Sequence, residues 1–183
     1  LAKEMSVVDQ GRVTMREELS RIPIERLPEN SKMFTQAVAG GRSAFQVHCS
    51  QCHGSGAAGS QTLGYPNLND DDWLWGGDIK AIEYTLTNGI RAPGVEKTRA
   101  SIMPPFDGVF EPVQLEAVVN HVLSLSGRGS RNALGAQTFQ DNCSVCHGTV
   151  GEGNRDLGAP RLNDAIWLYG SSHEQLRNQI LKP

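Results

Sequence analysis

Apolar positions recur at helical spacing in separate stretches of the chain, divided by polar loops rich in glycine and proline. From Gln36 the positions Ala37, Gly41, Ala44, Phe45 and His48 fall near one face of an amphipathic helix. Ile79, Ile82, Tyr84 and Leu86 predict a second helix, ending near Asn88-Gly89, a dipeptide suited to a left-handed stop. Leu115, Val118, Val119, Val122 and Leu125 recur at the same spacing and predict a third over Glu111 to Ser126. Before these, residues 1–35 are polar and carry Pro23 and Pro28, with only a weak stripe of Val7, Val8, Val13 and Leu19. They read as a helix fragment followed by an extended tether. Asn69-Asp70-Asp71-Asp72 precedes Trp73-Leu74-Trp75 and reads as a helix cap favoured by the macrodipole, in preference to a docking patch for a basic partner. Ser126 to Arg131 is short, flexible and positively charged, as a linker would be.

The pattern then starts again. At a constant offset of 94 residues Gly41 maps to Gly135, Phe45 to Phe139, Gly59 to Gly153, Pro66 to Pro160, Leu68 to Leu162 and Asn69 to Asn163. Asp70 maps likewise to Asp164, Trp73 to Trp167, Leu74 to Leu168 and Gly76 to Gly170. The expectation is an all-α fold built by tandem duplication. Its parts are a tether at 1–35, a first domain at 36–127, a linker at 128–134 and a second domain at 135–183.

Each repeat carries Cys-x-x-Cys-His: Cys49, Cys52 and His53 in the first, Cys143, Cys146 and His147 in the second. Two thiols to bond the vinyl groups of a porphyrin, followed at once by an imidazole for its iron, are what a covalently attached c-type haem requires. The motifs use all four cysteines, so two haem c groups leave no thiol for a disulfide. A single four-thiolate zinc site is the alternative. The pairs lie much farther apart than the roughly 15–20 residues of a zinc ribbon, and zinc would leave both histidines unexplained. Met103, held by Pro104-Pro105 in an irregular loop after the first motif, is the expected thioether ligand opposite His53. A methionine filling a core gap is the plainer use of the residue.

No methionine follows His147, and His173 maps onto Ile79, inside a helix rather than a ligand loop. The second domain is therefore expected to be incomplete at its C-terminal end, its Met-Pro pair lying beyond residue 183 and a closing helix reaching about residue 220. Leu1-Ala2-Lys3-Glu4-Met5 is neither a signal peptide nor a natural start, so a preceding segment is expected as well.

Composition narrows the function. The 38% hydrophobic and 6% aromatic content promises modest cores, for which covalent haem is a large apolar staple. A net charge of -3 with no long basic block argues against nucleic acid. No run of about 18 apolar residues is present to span a membrane.

The helix bearing Gly41 and Phe45 before the haem motif resembles that of class I cytochromes c, whose glycine lets the C-terminal helix cross closely. That resemblance implies that Pro66, 13 residues after His53, and Pro160, 13 after His147, offer carbonyls to the free ring N–H of the ligand histidines. It also puts His121 where an aromatic usually packs, so a packed histidine is preferred to an iron ligand. The two Asn-Asp-x-x-Trp-Leu-x-Gly blocks, the Met-Pro-Pro-Phe loop and the helix ending Val122-Leu123-Ser124-Leu125-Ser126-Gly127 resemble the dihaem subunit III of cbb3-type cytochrome c oxidase over about residues 40–183. The resemblance implies a non-catalytic electron-transfer arm of a terminal oxidase. It would be anchored in the bacterial inner membrane by an N-terminal segment, with its haem domains in the periplasm. Its partners would be a soluble cytochrome c donor, the haem-copper catalytic subunit and the monohaem cytochrome c subunit. A free-standing c4-like dihaem shuttle and a dihaem peroxidase are the competing readings. The former would carry a cleavable signal and no anchor, and the latter would leave one iron open.

Overall fold

A computed structural model describes residues 2–183, with side chains from Gln10 onward, so the Val7 and Val8 side chains of the first stripe lie outside what is described. The chain divides into two compact units, residues 1–51 and 52–183, with the boundary falling inside the first Cys-x-x-Cys-His motif. Among the described residues there is no β-strand, only the isolated bridges Ser60 with Tyr65, Ile90 with Arg99, and Asn154 with Ala159.

The first unit holds helix α1 (Ala2–Ser20), a 3-10 turn (Ile24–Glu29) and helix α2 (Ser31–His48). The tether expected after the helix fragment is mostly that turn, containing Pro28 and following Pro23. Helix α2 begins five residues before Gln36, because Asn30 in extended conformation accepts a hydrogen bond from Met33 N through its side chain, at 3.1 Å. No residue of α2 is buried, Gly41 included.

The second unit contains α3 (Ser50–His53, which straddles the boundary), α4 (Ile79–Asn88), α5 (Pro112–Leu125), α6 (Ala133–Asn142), α7 (Ser144–His147) and α8 (His173–Leu181). Its core is built by α5, α6 and α8. Val118 and Val119 are fully enclosed and Phe139 is 1% exposed, with Leu115, Val122, Leu123, Leu176 and Ile180 around them. Each such side chain contributes roughly 1.5–3 kcal/mol on leaving water, so this cluster dominates the unit's stability. Helix α5 starts cleanly because Pro112 occupies its first turn and Gln114 closes a capping box with Glu111. Its close crossing is with α6, where a Cβ on Gly135 would overlap the Ala117 carbonyl oxygen and stand 2.9 Å from His121 Cβ. This crossing joins α5 of the first repeat to α6 of the second, whereas the resemblance implies one between the first and last helices of a single domain.

The acidic run does not cap a helix, which corrects the expectation. Asp78 caps α4, accepting from Lys80 N at 3.1 Å and Ala81 N at 3.0 Å. Asp70 instead closes a side-chain turn onto Asp72 N, and Asp164 does the same for Ile166 N. Short polar side chains stabilise either feature, and the six residues between Asp72 and Ile79 decide against the helix.

Candidate haem-binding sites

Both ligand-candidate histidines end a one-turn helix and turn the same ring atom to a proline. His53 Nδ1 lies 3.0 Å from the Pro66 carbonyl oxygen and His147 Nδ1 lies 3.0 Å from that of Pro160. A carbonyl can only accept, so Nδ1 carries the hydrogen in both rings and the Nε2 lone pair is left for a metal. Such a bond fixes the tautomer and makes the imidazole a better donor.

The loops after the histidines are stapled alike, which explains the repeated Pro-x-Leu-Asn-Asp block. Gly59 N donates to His53 O at 2.9 Å, and Gly153 N to His147 O at 2.8 Å. Leu68 N reaches Ala57 O, and Leu162 N reaches Gly151 O, each at 2.8 Å. Asn69 Nδ2 donates to Gly56 O at 2.7 Å, and Asn163 Nδ2 to Val150 O at 3.2 Å. The asparagine therefore ties the glycine-rich loop to the proline that orients the histidine.

The environments differ. His53 is half-buried, with the Tyr65 ring 6.1 Å away and tilted 57°. A hydrogen bond with Cys52 raises the Tyr65 hydroxyl above its ordinary pKa. His147 is 8% exposed, and burial lowers its pKa despite the opposing bond to Pro160. Burial, helped by Cys146, pushes the Cys143 thiol up to about 11. Met103 is half-buried and packs on the core of α5, α6 and α8, the same cluster that Cys143, Leu162 and Trp167 pack against. Trp73 Nε1 donates to Asp70 O at 2.9 Å, whereas its counterpart Trp167 Nε1 is buried with no partner.

Two further histidines have other surroundings. His121 packs its ring on Phe139, with centroids 5.3 Å apart. His173 opens α8 and lies with Nε2 3.1 Å from Glu116 Oε2, beside Arg177 Nε at 3.3 Å from Oε1 of the same carboxylate.

The residues fit a covalently held haem in each repeat. All four cysteines are free thiols, each motif supplies an imidazole whose Nε2 is unused, and the orphaned Trp167 N–H is a donor that a haem carboxylate would satisfy. Among the described residues no three His, Cys, Asp or Glu side chains gather in the manner of a zinc cluster. Sequence reasoning missed Arg99, whose guanidinium lies 5.0 Å from the Trp75 ring centre and 4.9 Å from that of Tyr84. It also missed the contacts of Gly64, Trp75, Gly158 and Tyr169, although the offset of 94 pairs glycine with glycine and aromatic with aromatic at these four positions.

The family model described as cytochrome c oxidase, cbb3-type, subunit III matches residues 36–122, and that described as cytochrome c matches residues 132–183. The cbb3-type cytochrome c oxidase subunit CcoP of Cereibacter sphaeroides is 44% identical over 183 residues, covering 97% of this chain and 62% of that protein. Subunit FixP of Sinorhizobium medicae is 45% identical over 170 residues, covering 91% and 58%. Subunit FixP of Rhizobium etli is 40% identical over 186 residues, covering 100% and 64%. The chain spans about three fifths of the length of these relatives. With two cytochrome c domains in tandem and a likeness that runs through both, the chain belongs to the family of subunit III of cbb3-type cytochrome c oxidases.

Proposed function

We propose that the chain carries electrons through two covalently bound c-type haems, from a soluble cytochrome c toward the haem-copper subunit of a cbb3-type oxidase. The observation that carries this is the repeated histidine geometry: two imidazoles, each fixed through Nδ1 to a proline carbonyl at 3.0 Å, each following a Cys-x-x-Cys pair. When bound, haem supplies a one-electron iron couple, and imidazole with thioether ligation raises its potential. The chain's own residues do the rest. Cys49, Cys52, Cys143 and Cys146 would bond the two porphyrins, and His53 and His147, held through Nδ1, would offer Nε2 to the irons. The Pro66 and Pro160 carbonyls hold the two rings, and Met103 would offer its thioether to the iron of the first haem. Oxygen reduction belongs to another subunit. The oxidase partners, the inner membrane and the periplasmic orientation are part of this proposal; among the described residues no helix is long and apolar enough to cross a membrane.

The test combines purification with a substitution. The full-length protein should co-purify with a copper-containing membrane oxidase, carry two haems by mass, and be reduced by soluble cytochrome c. Met103→Ala should leave both haems attached, lower the potential of the His53 haem and open that iron to carbon monoxide. A complete gene encoding a cleavable signal and no membrane helix would make it a free-standing shuttle, and an unchanged thioether-ligated spectrum in Met103→Ala would remove Met103 from the iron.

A further inference from the structure

Within residues 52–183 the two repeats touch through a reciprocal pair of contacts. Gly158 has φ +61°, and a Cβ added there would overlap the indole of Trp75. Gly64 has φ +71°, and a Cβ added there would stand 2.7 Å from Tyr169 Cε1. These are one contact made twice: at the repeat offset of 94, Gly64 corresponds to Gly158 and Trp75 to Tyr169. Position i of one copy meeting position j of the other, with the converse also present, is the mark of a twofold-related interface. Gln61 adds a hydrogen bond from its side chain to the Trp167 carbonyl across the same seam. Trp75 is held in turn, because Arg99 lies over its ring and donates to Thr85 Oγ1 at 3.0 Å and Ala81 O at 3.2 Å, both on α4.

The place of these seats gives them consequence. Gly64 lies in the turn closed by the Ser60–Tyr65 bridge, two residues before Pro66, and Gly158 in the turn closed by the Asn154–Ala159 bridge, two residues before Pro160. Each aromatic therefore presses on the turn that delivers the carbonyl gripping the ligand histidine of the opposite repeat. Only glycine allows this, since the left-handed turn and the ring's approach both exclude a side chain.

We propose that the two repeats tune each other crosswise. Trp75 is a positioning residue for His147, acting through the Gly158–Pro160 turn, and Tyr169 is a positioning residue for His53, acting through the Gly64–Pro66 turn. The inference rests on reading the two motifs as haem sites, and it adds that each site's imidazole is set partly by the other repeat. A loosened Nδ1–H···O bond makes a histidine a poorer donor to iron, which favours the reduced metal.

The experiment uses the full-length dihaem protein with Trp75→Ala, Trp75→Phe, Tyr169→Ala and Tyr169→Phe, the two haems distinguished by NMR. Trp75→Ala should raise the potential of the His147 haem, read as about a threefold change in its reduced-to-oxidised ratio at fixed applied potential, or about 30 mV. The His53 haem should move much less. Tyr169→Ala should do the reverse, and both phenylalanine variants, which keep a ring on the glycine, should stay near the parent. Amide exchange supplies a readout independent of the haems. The Ala159 N–H, bonded to Asn154 O at 2.9 Å, should lose protection in Trp75→Ala, and the Tyr65 N–H, bonded to Ser60 O at 3.0 Å, in Tyr169→Ala. An effect confined to the haem and turn of the substituted residue's own repeat overturns the proposal, as does no effect at either. A haem count below two per chain by mass counts against the functional reading instead.

Discussion

His121 is a polar residue on the inner face of α5, 9% exposed, with its Nδ1 lacking a hydrogen-bond partner. The ring meets Phe139 of α6, its carbonyl is engaged by Ser124 Oγ, and the charged group facing it is Arg131. Burial first, and Arg131 second, lower its pKa from the ordinary 6.5. The folded chain therefore holds His121 neutral at a pH where the unfolded chain would take up a proton. Stability is full above about pH 6.5 and is lost as the pH falls through the lowered folded value, at up to about 1.4 kcal/mol per pH unit. His121→Phe should remove this part of the acid sensitivity. It should also gain about 1 kcal/mol at neutral pH by deleting an unsatisfied buried nitrogen. Denaturant midpoints at several pH values decide it, and an unchanged slope between pH 7 and 5 in the variant would clear His121 of the effect. That His121 stands where an aromatic usually packs was implied by the resemblance to class I cytochromes c, whereas the stripe of Leu115, Val118 and Val122 gave only the inward face of the helix.

At the scale of elements, the duplication provides its own control. Gly135 and Gly41 occupy the same register of α6 and α2, yet a Cβ at Gly135 collides with the backbone of α5, whereas within residues 1–51 one at Gly41 meets nothing within 4 Å. Gly135→Ala should cost about 1–3 kcal/mol as an overpacked crossing. Gly41→Ala, on an exposed helical surface, should gain up to about 1 kcal/mol from helix propensity. Thermal or denaturant unfolding of both variants measures the contrast, and equal costs would mean that the two glycines are equally packed. Helices α4 and α5 were readable because their apolar spacing and their stops agree. The start of α2 was not, since Asn30 as a cap precedes residues with little apolar pattern. Asn69 to Asp72 was misassigned because side-chain turns and helix caps draw on the same short polar residues, and only the position of Asp78 separates them. The two Cys-x-x-Cys-His motifs, and the histidine-to-proline spacing of 13, were readable because each is set by positions close together in the chain. The reciprocal seats at Gly64 and Gly158 were not, for they depend on how the repeats dock.

At the scale of the whole molecule, that docking leaves an electrostatic cost where the repeats face each other. Asp72 lines a cavity of about 260 Å³ together with Trp73, Arg155, Pro160 and Arg161. Partial burial raises its carboxyl pKa above the ordinary 3.8, Asp164, Asp70 and Asp71 add repulsion, and Arg161 opposes them. An acid with a raised folded-state pKa, when ionised, weakens the folded chain. The penalty is present above that raised value and is relieved as the pH falls through it, because the folded state then binds a proton before the unfolded state does. Asp72→Asn should therefore stabilise at pH 7 by a fraction of a kcal/mol, a size limited by solvent screening at a half-exposed site. Arg161→Gln should destabilise over the same range by removing the opposing charge. The difference between Asp72→Asn and the parent should shrink toward nothing below about pH 4, where Asp72 is protonated in both states, and should shrink with added salt at pH 7. Melting temperatures across pH and ionic strength test this. An advantage for Asp72→Asn that persists undiminished at low pH would place its origin in packing rather than charge.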